Sequence, residues 1–544
     1  MSTTSPAAGA QAAALQTFDA IIIGAGICGL YQLYRLRELG LRVRVFEAGS
    51  GVGGTWYWNR YPGARFDSES YTYAYSFSAL LAEHWDWSEH FAAQPETLRY
   101  LEFAADKLDL LKDIQFNARV ARACYDEQAN HWTVTTHSGS QARAKYLITA
   151  VGVLSAPYTP AIAGRDDFQG ESWHTAHWPQ RPVDLSDKRV GVIGAGATAV
   201  QLITEVAKNV GQLTVFQRTA NYCIPLNNRS IAGAEQAALK ATYPTMFERC
   251  RTTFGAFLHD FDPRSAFDVS DQEREAIYER LWNEPGFGFW LGNFHDIMSD
   301  PRANDTIAEF VRKKIRQRVK DPVIAERLTP RDHYFGTKRV PLESGYYEAY
   351  NRPNVELVDL KTTPITRITA TGINTSAQDY PCDIIVFATG FDAVTGALTR
   401  MDIRGEGGIA LKDKWADGPR TYLGLQIAGF PNLFTVVGAH NAANFCNVPR
   451  CGEQNVEWVS DCIRYLEEHH YARISASVEA EEAWRAHCEE VVAHTLFGAT
   501  DSWFMGANIP GKKRMFLGYG GGLPRYREKC AAVAAAGYQG FVLE

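Results

Sequence analysis

The first clear pattern along the chain is an apolar run followed by glycines and then by a helical stripe. Ala20–Ile23 is uninterruptedly apolar, which is typical of a strand buried on both faces of a parallel sheet. A helical pattern follows and ends at Gly40, with its apolar face at Leu30, Leu33, Tyr34 and Leu36. Leu41–Phe46 is the next apolar strand. The succession predicts a βαβ unit, from which α/β sheets are built.

The glycines of this unit have the spacing G-x-G-x-x-G, at Gly24, Gly26 and Gly29. Gly24 permits the tight strand-to-helix turn, Gly26 lets the backbone approach a pyrophosphate, and Gly29 lets the helix pack closely on the strand. Glu47 closes the second strand, where a carboxylate accepts ribose hydroxyls and repels a 2′-phosphate. We therefore expect FAD or NAD here; the alternative is a glycine-rich turn without a ligand.

A second copy of the pattern begins with the strand Arg189–Ile193. Its turn carries alanine for the third glycine, which the fingerprint tolerates: Gly194, Ala195, Gly196, Ala197, Thr198 and Ala199. The next strand, Leu213–Phe216, ends not in an acid but in Gln217, Arg218 and Thr219. A cation at this position favours a 2′-phosphate, so we expect NADPH rather than NADH. In the alternative interpretation Arg218 is only a surface residue.

Two such turns in one chain are typical of a flavoenzyme in which NADPH on one domain reduces FAD on the other. A third apolar strand, Asp383–Phe387, leads into Ala388, Thr389 and Gly390, whose small side chains let the chain pass close to a nucleotide. A plain strand and turn would have the same sequence pattern. The predicted fold class is α/β, with two Rossmann-like dinucleotide-binding domains and a helical insert.

Composition narrows the class of protein further. The 544 residues are 46% hydrophobic and 22% charged, which predicts a globular chain of several units. The formal charge of -7 argues against a nucleic-acid partner or an anionic membrane surface. No apolar run reaches the ~20 residues of a membrane span. Residues 1–17 lack the basic start and apolar core of a signal peptide and are expected to be a disordered N-terminus.

The ten cysteines lie between Cys28 and Cys530, with no CxxC pair and no paired zinc spacing. Free, mostly buried thiols in a reducing compartment are expected, so the protein should be cytoplasmic. His174 and His177 have no evident third ligand beside them, so no metal is expected.

One further motif lies between the two nucleotide turns. Its residues are Phe168, Gly170, His174, Trp178 and Pro179. They match the pattern F-x-G-x3-H-x3-W-P, and the chain therefore resembles the Baeyer–Villiger monooxygenases. The resemblance covers nearly the whole chain, including 53–67, 335–339, 415–425 and 503–512, and is strongest to phenylacetone-type members. In that family the motif is thought to couple domain movement to catalysis, which would give His174 a linking role.

The resemblance implies the reaction and its cofactors, FAD and NADPH. NADPH would reduce FAD, and the reduced flavin would react with O2 to give a C4a-peroxide. The anion of that peroxide would attack a ketone to yield an ester or lactone, with sulfide oxidation as a side activity. Such chemistry needs a fixed cation in a low-dielectric pocket, and arginine keeps its charge there. By resemblance the cation is Arg339, and Asp67 is the carboxylate that holds it.

The resemblance also assigns contacts to the two cofactors. Lys338 would join Arg218 on the 2′-phosphate, while Trp503 would belong to a mobile loop that closes over the nicotinamide cofactor. Arg65, Thr219 and Arg339 would also contact NADPH. Further flavin contacts would come from Cys28, Gly54, Thr55, Trp56, Asp67, Tyr73, Val120 and Val448.

Along the chain, we expect a flavin domain from 18–150 and 390–544, and an NADPH domain from 151–225 and 330–389. Residues 226–329 would form the helical insert. Ser270 to Glu273 is a capping box, and Val311, Ile315 and Val319 lie at helical spacing. The basic run 312–320 on that helix is interpreted as a solvated face.

The loop 438–451 departs from phenylacetone-type members. It carries additional polar or bulky residues: His440, Asn441, Asn444, Phe445 and Arg450. The resemblance therefore predicts a ketone without saying which one. A monomer or a small homo-oligomer is expected.

Two other functions share the two-nucleotide plan. An N- or S-oxygenating flavin-containing monooxygenase is disfavoured by Trp178, Pro179 and the candidate Arg339. A non-oxygenating NADPH-dependent flavin reductase of the disulfide type would need a CxxC or CxxxxC pair near the first turn, and none is there.

Overall fold

The computed structural model describes residues 15–544, and the predicted N-terminal lead-in falls largely outside them. Strands in this range are β1 (Gln16–Ile23), β2 (Val43–Phe46), β3 (Ile114–Gln115), β4 (Val120–Asp126), β5 (His131–Thr136), β6 (Gln141–Thr149), β7 (Glu171–His174), β8 (Arg189–Ile193), β9 (Gln212–Gln217), β10 (Ile224–Pro225), β11 (Leu342–Glu343), β12 (Val355–Asp359), β13 (Ile365–Thr369), β14 (Gly372–Thr375), β15 (Asp379–Pro381), β16 (Ile384–Phe387), β17 (Asp402–Arg404), β18 (Leu433–Thr435), β19 (Ile474–Ala476) and β20 (Phe541–Leu543).

The α-helices of the same range are α1 (Ile27–Glu38), α2 (Thr55–Trp58), α3 (Ser70–Tyr73), α4 (Ala79–His84), α5 (Gln94–Lys107), α6 (Ala197–Val206), α7 (Gly233–Thr252), α8 (Asp271–Trp282), α9 (Gly288–Leu291), α10 (Pro301–Arg318), α11 (Pro322–Leu328), α12 (Tyr346–Ala349), α13 (Gly396–Thr399), α14 (Leu411–Lys414), α15 (Val448–Glu468), α16 (Val478–Ala493) and α17 (Gly522–Ala535). Short 3-10 turns connect several of them, so strands and helices alternate as an α/β fold requires.

The first sheet has eight strands in the order β17-β4-β5-β6-β1-β2-β3, with β18 paired to β6. Strand β1 runs parallel to both β2 and β6, which places the first glycine turn at the carboxyl edge of the sheet. The predicted disordered lead-in 1–17 is two residues too long, because Gln16 and Thr17 already pair with β6. Strand β2 starts at Val43 rather than at Leu41, because the Leu41 N–H still donates to the α1 carbonyl of Leu36.

The second sheet has five parallel strands in the order β12-β9-β8-β16-β7. The second glycine turn follows β8, whose neighbours β9 and β16 lie on opposite sides of it. Ligands of such sheets bind at the carboxyl ends of strands where the strand order reverses. Strand β16 starts one residue after the predicted Asp383, whose carboxylate accepts from the Arg189 N–H at 2.8 Å and pairs with its guanidinium at 2.7 Å.

Helices α7 to α11 occupy the predicted helical insert. The Ser270 side chain accepts from the Glu273 N–H and caps α8, as the capping-box pattern predicts. In α10, Val311 and Ile315 are fully buried in a core that also contains side chains of β8 and β9. The insert is therefore packed onto the second sheet.

The basic face of α10 is neutralised by acidic side chains of its neighbours. Lys313 pairs with Glu275 at 2.6 Å, Lys314 with Glu279 at 2.7 Å, and Arg318 with both Glu343 and Glu348 at 2.6 Å. These ion pairs agree with the interpretation of the basic run as a helix face rather than a polyanion site.

The cysteines differ from the prediction at two positions. Eight cysteines of the described range are free, but Cys446 and Cys451 form a disulfide. The prediction of free thiols is wrong for these two because the start of α15 brings their Cα atoms to 6.8 Å.

Among residues 15–544, no helix combines the length and the apolar composition of a membrane span. In the same range, His, Cys, Asp and Glu side chains form no cluster of three or more that could hold a metal ion.

Candidate active site

The first glycine turn joins β1 to α1 under steric conditions that only glycine meets. Gly24 has φ +105°, and a Cβ there would lie 2.6 Å from the Ala150 carbonyl oxygen. A Cβ on Gly29 would lie 1.9 Å from the Gly24 oxygen, so helix and strand pack backbone to backbone. Among residues 15–544, no side chain caps the N-terminus of α1 at Gly26. The free N–H groups of this helix end can therefore bind a pyrophosphate. The turn fits the diphosphate of FAD.

Glu47 is buried directly after β2 and faces this turn. Its Oε2 accepts a hydrogen bond from the Ala25 N–H and its Oε1 accepts one from the Gly49 N–H, both at 2.7 Å. A carboxylate oxygen can accept a second hydrogen bond, so ribose hydroxyls can still bind to it. The two backbone bonds, which the sequence pattern does not reveal, hold the carboxylate beside the turn.

A second group of predicted flavin contacts lies close to the first turn. A Cβ on Gly54 would come 2.8 Å from the Gly26 Cα, so the backbone segments touch. Thr55 opens α2 next to this contact and is exposed. The Trp56 indole N–H donates to the Tyr73 hydroxyl at 2.9 Å, which fixes both rings near the turn.

The remaining predicted flavin contacts lie on separate elements. Cys28 is in the first turn of α1 and packs against Gly452 of α15. Burial raises the pKa of the Cys28 thiol to about 12, so it is a neutral thiol at physiological pH. Val448 is the first residue of α15, and Val120 is the first residue of β4.

The second glycine turn repeats the geometry of the first between β8 and α6. Gly194 has φ +126°, and a Cβ there would lie 2.3 Å from the Ala388 oxygen, so the 388–390 turn passes beside it. Gly196 has open space where a Cβ would stand, and no side chain caps α6 there. The Thr198 hydroxyl lies 3.3 Å from that of Thr175. This turn can also receive a diphosphate.

Ala195, Ala197 and Ala199 complete this turn and its helix. Ala199 is fully buried, as the third small residue must be for close helix packing, whereas Ala195 and Ala197 are partly accessible.

Arg218 and Lys338 supply positive charge at the edge of the second sheet. Neither side chain has an ion-pair partner in the described range 15–544. Burial lowers the pKa of Lys338, and the nearby charges of Arg218 and Lys361 act in the same direction against Asp332. Arg218 and Lys361 line a cavity of about 560 Å³, and Thr219 lies directly after Arg218. Cations placed in this way suit a 2′-phosphate.

Arg339 and Asp67 form a close ion pair between the two sheets. The Arg339 Nη1 lies 2.6 Å from the Asp67 Oδ2 and also donates to the Val340 carbonyl at 2.7 Å. Burial raises the pKa of Asp67, and the adjacent Arg339 opposes that effect. The side chain of Asp67 is 4% exposed and that of Arg339 is 31% exposed, so the cation still has an open side.

Two residues that the sequence analysis missed complete this pair. The Gln201 amide of α6 donates to the Arg65 carbonyl at 3.0 Å and reaches the Asp67 Oδ1 at 3.5 Å. The Phe287 ring lies 5.1 Å from the Arg339 guanidinium carbon. Gln201 lies one helical turn after Ala197, so its place near the second glycine turn could have been predicted from the sequence. Nothing in the sequence pattern marks Phe287 of the insert as a site residue.

Arg65 has protein partners in this structure. Its Nη1 donates to the Glu89 carboxylate and to the Phe91 carbonyl, both at 3.0 Å. The predicted contact of Arg65 with NADPH stays a prediction.

His174 of the sequence motif bridges two segments of the second sheet. Its Nε2–H donates to the Gly390 carbonyl at 3.0 Å, while its Nδ1 accepts from the Ala176 N–H at 3.1 Å. Burial lowers the pKa of His174 to about 4, so the ring is neutral at physiological pH. The two bonds define one tautomer and tie β7 to the turn after β16.

The other motif residues have structural contacts. A Cβ on Gly170 would lie 2.4 Å from the Asp383 oxygen and close to the Phe168 ring. Trp178 is buried against Trp173, with ring centroids 5.1 Å apart, and Pro179 follows it. The motif therefore packs along β16.

Trp503 lies in a 3-10 turn that is held near Lys338. The hydroxyls of Thr337 and Thr500 are 2.8 Å apart, which joins the 335–339 stretch to this segment. Lys512, further along, pairs with Asp392 at 2.7 Å. Trp503 itself is half-buried and adjoins Phe504, with ring centroids 4.3 Å apart.

The polar residues of the loop 438–451 mostly hold the loop itself. The Asn441 amide donates to the Tyr526 hydroxyl at 2.7 Å, and the Asn444 amide donates to the Gly438 carbonyl at 2.7 Å. Arg450 pairs with Glu453 at 3.0 Å and donates to the Ala74 carbonyl. Burial lowers the pKa of His440 to about 4. These side chains brace the backbone.

Comparisons with known proteins agree with this geometry. Residues 21–248 match the family model described as pyridine nucleotide-disulphide oxidoreductase. The chain is 46% identical to the 2-oxo-Delta(3)-4,5,5-trimethylcyclopentenylacetyl-CoA monooxygenase of Pseudomonas putida over 96% of its own length and 98% of that protein. It is 44% identical to a Baeyer-Villiger monooxygenase of Pseudooceanicola batsensis, over 96% of both.

Two further relatives bear on cofactors and chemistry. The phenazine N-monooxygenase PhzNO1 of Lysobacter antibioticus is 46% identical over 97% of both chains. The crystal structure of OTEMO in complex with FAD and NADP superposes with a TM-score of 0.94 at 46% identity, covering 97% of this chain and 99% of that one.

The first sheet, which mixes parallel and antiparallel strands, has a glycine turn with an acidic residue that suits the unphosphorylated ribose of FAD. The second, parallel sheet has a glycine turn with cations that suit the 2′-phosphate of NADPH. Together they define a flavoprotein that uses NADPH. With relatives of this identity and coverage, the chain belongs to the Baeyer–Villiger monooxygenases, FAD-containing and NADPH-dependent enzymes that incorporate one atom of O2.

Proposed function

We propose that the chain oxidises a ketone to an ester or lactone at a site built on Arg339 and Asp67. The observation that carries the proposal is the ion pair itself: a buried carboxylate holds a guanidinium whose other side stays accessible and whose charge rests on an aromatic ring. An arginine so placed offers a permanent positive charge to an anion that develops in the reaction.

The residues that would hold each cofactor follow from the two turns. The N-terminus of α1, Glu47 and the Gly54–Trp56 segment would hold FAD. The N-terminus of α6 would hold the NADPH diphosphate, and Arg218 with Lys338 its 2′-phosphate. We accordingly propose 18–150 with 390–544 as the flavin domain, 151–225 with 330–389 as the NADPH domain, and 226–329 as the insert.

FAD, when reduced by NADPH, supplies the activated oxygen that is inserted next to the ketone carbonyl. The protein's own contribution is orientation and charge. Arg339 would donate hydrogen bonds to the carbonyl oxygen of the ketone as negative charge builds on it. Asp67 would keep the guanidinium from rotating, because its carboxylate is held in turn by the Gln201 amide. Trp503 and its segment would close the site against water.

The substrate is proposed to be a small ketone. Relatives named as an acetone monooxygenase, 44% identical, and a cyclopentanone 1,2-monooxygenase, 43% identical, support this class. In the loop 438–451 the Asn441 amide N–H is bonded within the protein, whereas the Asn444 Oδ1 and the His440 Nδ1 are buried with no hydrogen-bond partner among residues 15–544.

N-oxygenation is the second candidate function, favoured by the likeness to a phenazine N-monooxygenase. An amine nitrogen does not develop an oxyanion, so it has less need of Arg339. The two functions therefore differ in their dependence on this residue.

The discriminating experiment uses the yellow, FAD-containing enzyme with NADPH in air. A panel of linear, cyclic and aromatic ketones, a sulfide and an aromatic N-heterocycle is offered, and products are identified by mass. Esters or lactones from the ketones, lost in Arg339→Ala, support the proposal. N-oxide formation alone would support the second candidate, and hydrogen peroxide without any oxygenated product would contradict both.

We also propose a cytoplasmic protein that is a monomer or a small homo-oligomer. The eight free cysteines of the described range support a reducing compartment, and the Cys446–Cys451 disulfide is the one contrary observation. Size-exclusion chromatography with light scattering measures the oligomeric state.

A further inference from the structure

A second cavity lies beside the start of α15. It has a volume of about 750 Å³, in the range of small-molecule sites, and lies between α7, α15, α17 and the segment that leads into α4. None of the residues predicted to contact FAD or NADPH lines it, and of the loop 438–451 only Arg450 does.

One wall of the cavity is apolar and aromatic. It includes Phe77, Tyr243, Phe247 and Leu523. Phe77 is stacked on Tyr31 with ring centroids 4.0 Å apart, and Phe247 lies under the Arg450 guanidinium at 4.7 Å. These contacts hold both rings in place, so the wall is preformed for an apolar or aromatic body.

The charged residues in the buried part of the cavity are paired, except for one arginine. The exposed Glu83, which also lines the cavity, has no ion pair among residues 15–544 either. Lys240 pairs with Asp86 at 2.6 Å, and Arg251 pairs with Glu457 at 3.6 Å. Glu453 is bonded to Arg450 at 3.0 Å and to the Ser76 N–H at 2.8 Å. The acids that line the buried part of the cavity are thereby satisfied by protein partners.

Arg527 is the exception. It projects from α17, is half-buried, and has no ion pair or hydrogen bond to another side chain among residues 15–544. Burial lowers the pKa of Arg527 and the neighbouring Arg251 adds to that effect, whereas the nearby carboxylates of Glu457 and Glu248 oppose it. A partly desolvated guanidinium without a close partner is unfavourable, and a carboxylate relieves it by bidentate hydrogen bonding. In the same cavity the buried Nε of Arg450 has no hydrogen-bond acceptor in the described range.

We propose that this cavity is a second ligand site, which binds a small amphiphilic carboxylate. The carboxylate pairs with Arg527, and the apolar or aromatic body lies against Phe247 and Leu523. A cationic ligand is disfavoured because it would meet Arg527. The ligand also contacts Arg450, which lies near the C-terminal end of the loop 438–451 and in the first turn of α15, so its binding stiffens that loop.

The test uses the FAD enzyme saturated with NADP⁺ and isothermal titration with 2-naphthoate. Its neutral analogue 2-naphthamide has the same ring system without the charge. We expect one naphthoate site per chain, and an amide affinity at least about tenfold weaker, since the charge-assisted pair is lost. Arg527→Gln should lose that preference, Arg527→Lys should keep most of it, and Phe247→Ala should weaken both ligands.

The matched control is Arg464→Gln, which removes an exposed arginine of α15 outside the cavity and should change nothing. Equal affinity for the two ligands, or unchanged naphthoate binding in Arg527→Gln, would overturn the proposal. If a ketone that the enzyme oxidises displaces naphthoate, then naphthoate binds at the ketone site. That result would overturn the proposal as well.

Discussion

The ion pair between Arg339 and Asp67 can be tested by removing each partner in turn. Arg339→Ala deletes the cation, whereas Asp67→Ala leaves it in place without its anchor. Arg339→Lys keeps a charge but loses the planar fork that donates to both Asp67 and the Val340 carbonyl. Arg280→Gln, an exposed arginine of the insert that pairs with Glu284, is the matched control.

The magnitudes follow from the geometry of the pair. Hydrogen bonds to charged groups contribute about 1.5–3 kcal/mol, and breaking a fully buried pair costs about 3–5 kcal/mol. Because the Arg339 side chain is 31% exposed, we expect the lower range, about 2 kcal/mol of unfolding free energy, for Asp67→Ala. Removing a group that stabilises a developing oxyanion costs about 10²–10³-fold in kcat, so Arg339→Ala should lose that much of its ester formation.

Asp67→Ala should lose less, about tenfold to a hundredfold, since a misplaced cation still has its charge. The assay is the ratio of ester formed to NADPH consumed, with hydrogen peroxide measured in parallel. Both variants should go on consuming NADPH while the ratio falls. An unchanged ratio in Arg339→Ala at normal FAD content would refute the reasoning, as would an equal fall in Arg280→Gln.

Three further predictions use residues outside this pair. Arg218→Ala should raise the Kd of NADPH by about 10–100-fold and leave that of NADH unchanged, because only the former has a 2′-phosphate; equal changes would refute the site. His440, with its pKa lowered to about 4, takes up a proton more readily when unfolded, so stability should fall as pH drops from about 6.5 to 4, by up to about 3 kcal/mol. His440→Asn, which tolerates the local φ of +60°, should reduce the slope of the melting temperature over that window, with His174 contributing to the slope that remains, and an unaltered slope would contradict the assignment. His174→Ala removes the hydrogen bonds to Gly390 and Ala176 and should lower both the melting temperature and the ratio of product formed to NADPH consumed. A fall in the melting temperature alone would show that His174 has only a structural role.

The two nucleotide turns were predictable because their information is local. Gly24, Gly29 and Glu47 lie within one βαβ unit, and each residue type follows from the close approach that its position requires. The same is true of Gly194 and Gly196, whereas the close approach of Gly194 to Ala388 joins segments that are distant in sequence. The observed strand ends differ from the predicted ones by a residue or two. The apolar pattern does not reveal hydrogen bonds such as that from the Leu41 N–H to α1, which set these ends.

The catalytic pair could not be derived in this way. Asp67 and Arg339 are far apart in sequence, and without the family resemblance both look like solvated loop charges. Phe287 had no signal at all, because a phenylalanine in a helical insert is typical of a core. Cys446 and Cys451 could not be paired from the sequence, because a CxxxxC spacing does not by itself bring two Cα atoms within the distance that a disulfide needs.

The order of strands has a consequence for how the protein is made. The last strand of the second sheet ends at Phe387, whereas the first sheet still lacks β17 and β18 at that point and is complete only at Thr435. During synthesis, domains fold as their segments leave the ribosome. The sheet that begins the chain is therefore the later of the two to be finished. Until then, β6 has no partner where β18 will pair, and the nascent flavin turn depends on the C-terminal part of the chain for its final form.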